Sequence, residues 1–433
     1  MGAARLIAAA TAAHERQLLR RDSKMERRLD HADRLRRYAD LIVRVGANVG
    51  QGQYVAVDGL VEHAELVRAV ADAAYEAGAR FVDVRYADLR VRRSMIEKAP
   101  DETLTFSPTW MVERVERLAA ENGAQILLAG SPEPELFAEL DAARVGRARP
   151  VAFDEAHMRN ITNQAINWTI AEFPTAGWAE TVYGAPDLER LWRELGYTVR
   201  LDAADPVAAW KEHIARLERR VRVLNDEHFD ALRFTGAGTD LTVGLLPTSR
   251  WLCASAETAF GRRHVVNLPS EEIYTTPDRS RADGTLRATR PLALPAGIVR
   301  GLELHFERGR VVGVDAESAV EYIRAQIGAD EGAAHLGEVA LVDATSRVGE
   351  IDHPFFNGLL DENAASHVAY GSGFPYAVDG VDRDDPSAQI AAGVNQSSVH
   401  TDVMLGGPGV EIFGVTADGD ERCVIADNEW QLS

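Results

Sequence analysis

The sequence predicts two domains of different class, an α/β domain with a parallel sheet at the N-terminal end and a β-rich α+β domain after it. Three observations carry this expectation. Between Leu29 and about Arg149, short apolar runs alternate with longer segments whose apolar residues recur at helical spacing, the pattern of repeated strand–helix units. The segment "DPVAAWKEHIARLERRVRVLNDEHFDAL" is amphipathic throughout and opens on an aspartate, as a long helix linking two halves would. From Arg233 onward, strand-like runs and glycines dominate. The expected division is an extension over 1–28, an α/β domain with its linking helix over 29–232, and a second domain over 233–433.

The elements follow in order. "ADRLRRYADLIVRVGANV" reads as a helix ending at glycine and asparagine. "QYVAVDG" is a short buried strand, "EHAELVRAVADAAYEAGA" a helix closing at Gly78, and "RFVDVRYAD" a strand with period-two alternation. "TWMVERVERLAAENGA" is helical and "QILLAGS" a strand. "NWTIAEFPTAGWAETVYG" mixes strand character with Pro174 and Gly177. In the second half, "RFTGAGTDLTVGLL", "GIVRGLELHFERGRVVGVDAE" and "GEVALVD" are strand-rich, and "HFERGRVVGV" reads as a hairpin about Gly309. Gly46, Gly50 and Gly52 lie between a helix and a strand, the reverse of a nucleotide-binding fingerprint, and read as turns.

Composition narrows the function. Of 433 residues, 46% are hydrophobic and 26% charged, which suffices for two cores. A net charge of −20 argues against a nucleic-acid surface. No apolar run reaches the length of a membrane span. Cys253 and Cys423 make neither a disulfide framework nor a zinc-finger spacing, so a cytoplasmic protein is expected. "MGAARLIAAATAAHERQLLRRDSKMERRLD" lacks the basic start and hydrophobic centre of a secretion signal and reads as a disordered extension.

The chemistry-bearing residues fall in the second half. "NLPSEEIYTTPD" sets Glu271 beside Glu272; adjacent carboxylates in a cleft repel and require a cation or a shared proton. Glu338 opens the apolar run "EVALVD", where an unpaired carboxylate is costly. His367 lies among small residues, and His400 stands two places before Asp402; in an extended segment that spacing puts both on one face. Singly, each is ordinarily a solvated turn or a satisfied polar residue. Together they supply two imidazoles and at least three carboxylates, a set suited to zinc, cobalt or manganese. Five ligands exceed the needs of one tetrahedral zinc and point to two ions sharing a carboxylate. His264 and His335 lie near the glutamate motifs in sequence and are candidate outer groups. His63, His213, His228, His305 and His353 are weaker candidates.

The ordered series "NLPSEEIYTTPDRSRADGTLRATRPL", "LGEVALVD", "LLDENAASHVAYGSGFP" and "NQSSVHTDVMLGG" resembles the thermophilic aminopeptidase family, the aminopeptidase S and aminopeptidase T group. The likeness extends to "RYADLIVRVGANVGQGQYVAV" and "GTDLTVGL". The resemblance implies a homodimeric exopeptidase acting on peptides, with two divalent ions per chain in the C-terminal domain. It implies Glu272, Glu338, His367, His400 and Asp402 as ligands, and it leaves Glu271 or Glu338 to move the proton. Where the family has a tyrosine seven residues after the first histidine, this chain has Phe374, with Tyr376 two places on as a substitute hydroxyl. Two other readings stand beside it. One is a mononuclear iron ring-cleaving dioxygenase using His367, His400 and Asp402 as a facial triad. The other is a retired peptidase scaffold that still binds metal.

Overall fold

A computed structural model of the chain describes residues 30–294, 297–351 and 353–433. The extension expected over 1–28 lies outside the described residues.

Four parallel strands form the first sheet's body: β1 (Tyr54–Leu60), β2 (Phe81–Ala87), β3 (Ala124–Ala129) and β4 (Asn167–Glu172). Their order is β4, β3, β1, β2. The helices expected between them run over His31–Leu41, Ala64–Glu76 and Thr109–Ala120. The first is capped by Asp30, whose carboxylate accepts from Asp33 N. It continues into a π turn at Ile42–Gly46. Gly46 therefore lies within a helical turn rather than in a loop, and a Cβ there would come within 2.8 Å of Thr169. This half also holds helices over Leu89–Lys98, Ala142–Arg147, Val151–Thr162, Ala176–Tyr183 and Leu188–Thr198, which the sequence reading did not resolve.

The link is the helix Pro206–Glu227, with Asp205 as its cap and proline at its first position. Beyond it lie two antiparallel sheets. One has eight strands and includes the hairpin Glu303–Glu307 with Arg310–Asp315, turning on Arg308 and Gly309, both at positive φ. The other has five strands, in the order His400–Met404, His367–Gly371, Leu336–Leu341, Ile273–Thr275, Leu252–Cys253.

A strand crosses the division expected at residue 233. Asn267 and Leu268 pair in parallel with Ile170 and Ala171 of β4 and so add an edge strand to the first sheet. The chain then passes through Glu271 and Glu272 into the five-stranded sheet. A single stretch therefore belongs to both halves, and the metal-ligand candidates begin where it crosses.

Candidate metal centre

The five-stranded sheet gathers the candidates on one face. Across its ladder, Glu338 lies opposite Ala369, and Ala369 opposite Asp402. His367 lies opposite Ala340 and Met404, and His400 opposite Gly371. Residues two apart in a strand share a face, so Glu338, His367, His400 and Asp402 all project from the same side. The positions between them are Ala340, Ala369 and Gly371, whose small side chains leave space above the sheet. Tyr274 pairs with Ala340 and shares this face. By the same alternation Glu272 points to it, and Glu271 to the opposite side.

Two sets of ligand atoms lie within 4.8 Å of one another. Glu272, Glu338 and His367 form the first, and Glu338, His400 and Asp402 the second. Glu338 is common to both. One of its oxygens is 3.2 Å from His400 Nε2 and the other 4.0 Å from His367 Nε2. His400 Nε2 is 3.5 Å from Asp402. Glu272, Glu338 and His367 are buried, Asp402 is half-buried, and His400 is exposed at the sheet edge. The centre therefore opens to solvent along the edge strand.

The donor set fits a bound divalent ion. Glu272 Oε2 is buried and lies 3.2 Å from His367 Nε2, yet it lacks a hydrogen bond of proper direction. Both imidazoles are anchored through Nδ1, His367 to the Ala365 carbonyl at 3.1 Å and His400 to the Ser372 carbonyl at 2.8 Å. An Nδ1–H donating to a carbonyl leaves the Nε2 lone pair free for a metal.

Electrostatics point the same way. Glu362, which the sequence reading passed over, brings a fourth carboxylate. Burial pushes its carboxyl well up, with Asp402, Glu272 and Glu338 adding to the rise. Burial, then Glu272 and Asp402, raises Glu338 against the pull of His400. Burial works to lower His367, but Glu272, Glu338 and Asp402 carry it to about 9. Burial opposes ionisation of Asp402, but His400 holds it low. Burial and neighbouring charge thus push the Glu338 and Glu362 carboxyls toward their protonated forms, and the carboxylates outweigh burial to push both imidazoles the same way; a bound divalent cation would supply the countercharge instead.

The other candidates lie elsewhere. Glu271 meets Arg200 at 2.9 Å and His213 at 3.4 Å, and its backbone N–H donates to Asn363 Oδ1 at 2.6 Å. Its carboxylate is engaged in that ion pair, on the side of the strand away from the other candidates. His264 packs against Trp168, and His335 bonds the Arg279 carbonyl, so neither supports a ligand. The Phe374 ring lies 5.4 Å from that of His400 in a tilted contact, stacks on Tyr376 and meets Tyr274 edge-on. The Tyr376 and Tyr274 hydroxyls pair with each other, in the field of Glu272 and Glu338. Tyr274, like Glu362, was missed. Its signal was its place two residues after Glu272; that of Glu362 was its nearness to His367.

Four acids, one of them common to both ligand sets, gathered with two imidazoles define a metal-dependent enzyme centre. A family model described as thermophilic metalloprotease (M29) matches residues 31–430, and the chain belongs to that family. It is 38% identical to aminopeptidase T of Thermus thermophilus, over 92% of this chain and 98% of the relative. It is 33% identical to aminopeptidase AmpS of Bacillus subtilis, over 92% and 98%. The structure of wild-type AmpT from Thermus thermophilus superposes with a TM-score of 0.85 at 36% identity, covering 92% of this chain and 98% of that one. A 2,5-dihydroxypyridine dioxygenase from Pseudomonas putida gives 0.53 at 14% identity over 93% and 98%, a likeness of fold alone. Among the described residues no helix is long and apolar enough to cross a membrane.

Proposed function

We propose that this metallopeptidase is an aminopeptidase that removes the first residue of peptides with two divalent ions per chain. The observation that carries the reading is Glu338, with one carboxylate oxygen toward each imidazole. Glu272 and His367 would hold one ion, His400 and Asp402 the other, and Glu338 would serve both. Imidazole with carboxylate suits zinc, cobalt or manganese. Bound there, such ions supply Lewis acidity toward the scissile carbonyl and an acidified water.

The chain's own groups do the rest. Glu362 is the proposed proton carrier: it lies in the field of three site carboxylates but outside both ligand sets. Its carboxylate would take the proton of the attacking water and return it to the leaving amine. Tyr376 is the proposed hydroxyl donor, in place of the hydroxyl that Phe374 lacks. Burial and the nearby carboxylates keep its phenol protonated, so it can donate to a developing oxyanion. The acid-rich mouth at Asp402 would attract the substrate's terminal ammonium. A homodimer is the proposed assembly; Phe81, Val84 and Tyr86 on edge strand β2 are exposed apolar side chains that a partner would cover. A cytoplasmic setting accords with two free cysteines.

Metal analysis of the purified protein, combined with hydrolysis of aminoacyl-naphthylamides after addition of zinc, cobalt or manganese, tests the proposal. About two ions per chain are expected by ligand count. A single iron with oxygen uptake and no hydrolysis would overturn it. The iron reading would leave Glu272, Glu338 and Glu362 as surplus buried acids.

A further inference from the structure

On the other side of the Glu271–Glu272 step lies a second polar cavity of about 320 Å³. It sits between the linking helix and the 345–350 segment, and its wall carries Arg200, His213, Arg216, Arg219, Thr345 and Arg347. None of the metal-centre residues lines it.

Four guanidinium groups on one wall are unusual in a chain of net charge −20. Two are already satisfied. Arg200 pairs with Glu271 and lies over the Trp210 ring at 4.8 Å. Arg347 pairs with Asp202 at 2.5 Å and lies over Tyr197 at 4.7 Å. These contacts fix both groups in place. Among the described residues, Arg216 and Arg219 pair with no carboxylate. Arg216 donates only to Nδ1 of His213, at 2.9 Å. That imidazole is neutral: burial takes it down to about 4, and its Nε2 is engaged with the Ser270 carbonyl. Arg216 Nε is buried with no hydrogen-bond partner. Burial lowers the Arg216 guanidinium; Glu271 opposes, while Arg220 and Arg200 add to the fall. The wall's two acids, Glu212 and Glu350, pair with none of these arginines, and Glu350 accepts from the Tyr197 hydroxyl.

Two guanidinium groups on the wall without a carboxylate partner leave donors and positive charge that an anion in the cavity would match. We propose that this cavity is a binding site for a small phosphoryl anion, held by Arg216 and Arg219 with Thr345 on the rim. Guanidinium forks match the oxygens of a tetrahedral dianion, and the volume admits a phosphoryl group with room for part of a molecule that carries it. Through Arg200, Glu271 and the peptide to Glu272, the occupied site would adjoin a metal ligand without touching it.

The test is thermal melting of the full chain titrated with inorganic phosphate at constant ionic strength, against chloride as control. Phosphate is expected to raise the melting temperature in a saturable way. Arg216→Gln and Arg219→Gln should each shift the half-effect concentration about tenfold upward, the loss of one charge-assisted bond. Both variants should keep peptidase activity. Phosphoserine forms a second arm: tighter binding than phosphate assigns the site to the phosphoryl end of a larger molecule, and weaker binding to the free ion. Phosphate no better than chloride would overturn the proposal. So would an unchanged titration in the variants, which would place the anion at the metal centre. Arg219 is exposed, so its variant decides even where Arg216→Gln fails to fold.

Discussion

Glu271 and Glu272 are chain neighbours, both buried, in opposite electrostatic surroundings. Glu271 is balanced: Arg200 lies at 2.9 Å and the Arg347 backbone N–H at 3.4 Å. The same holds for Glu194 among Arg190, His353 and Tyr183, and for Asp343 against Arg220. Glu272 is not balanced: it joins Glu338, Glu362 and Asp402 around two imidazoles. Burial of an acid is thus no mark of function by itself. What separates the two sides of this one peptide is whether the protein supplies the countercharge or leaves it to be imported.

The largest effect should come from the unbalanced side. His400→Ala or Asp402→Ala removes one ligand from a shared centre, and several kcal/mol of catalysis with it, so hydrolysis should fall by about a thousandfold or more. Circular dichroism should show an intact fold, and dialysis against a chelator should abolish wild-type activity until a divalent ion is returned. Unfolding of both variants would make the cluster structural and erase the contrast with Glu271.

The neighbours themselves give the sharpest comparison. Glu271→Gln leaves Arg200 buried without its partner and should destabilise the protein by about 3–5 kcal/mol. Glu272→Gln removes one of four mutually repelling acids. In chelator it should be at least as stable as wild type, while activity is lost once metal is added. Equal destabilisation of both variants in denaturant titrations would show that the acids differ less than their surroundings suggest.

Much of this was legible in the sequence, for physical reasons. The strand–helix alternation of the first half is set by periodicity, and β1 to β4 fell where the apolar runs are. The ligand candidates declared themselves as acids and histidines placed in otherwise apolar or small-residue strands. Glu362 did not, because "LLDENAAS" reads as a polar helix end; only the turn over Glu362–Ala364 brings it to the centre. Parity along the strand, Glu272 with Tyr274 and Glu271 opposite, was available but needed the strand boundary to be used. The pairing of Asn267 and Leu268 with β4 was beyond reach: a two-residue strand has no period.

Phe374 tests the unbalanced side more finely. Its ring covers His400 and stacks on Tyr376. If Tyr376 supplies the hydroxyl, Tyr376→Phe should lower kcat on the order of a hundredfold with KM nearly unchanged, as for an interaction made only in the transition state. Phe374→Tyr should then change kcat little. A large gain from Phe374→Tyr, with none lost from Tyr376→Phe, would return the role to position 374.

The smallest expected effect lies on the balanced side, at Glu194. Burial would raise its carboxyl, but His353, Tyr183 and Arg190 hold it down, to about 2. A carboxyl depressed in the folded state contributes stability that is complete above its unfolded value and is lost as pH falls toward the folded one. The contribution should therefore be full at pH 7 and fade between about pH 5 and pH 2, amounting to about 2 kcal/mol after allowance for solvent screening of this partly shielded group. Glu194→Gln should flatten that acid limb in melting temperatures measured against pH, with hydrolysis at neutral pH preserved where the fold is intact. Chelator should leave the limb unchanged, because its countercharges belong to the chain. An acid limb that survives Glu194→Gln but disappears with chelator would assign the proton uptake to the metal centre instead.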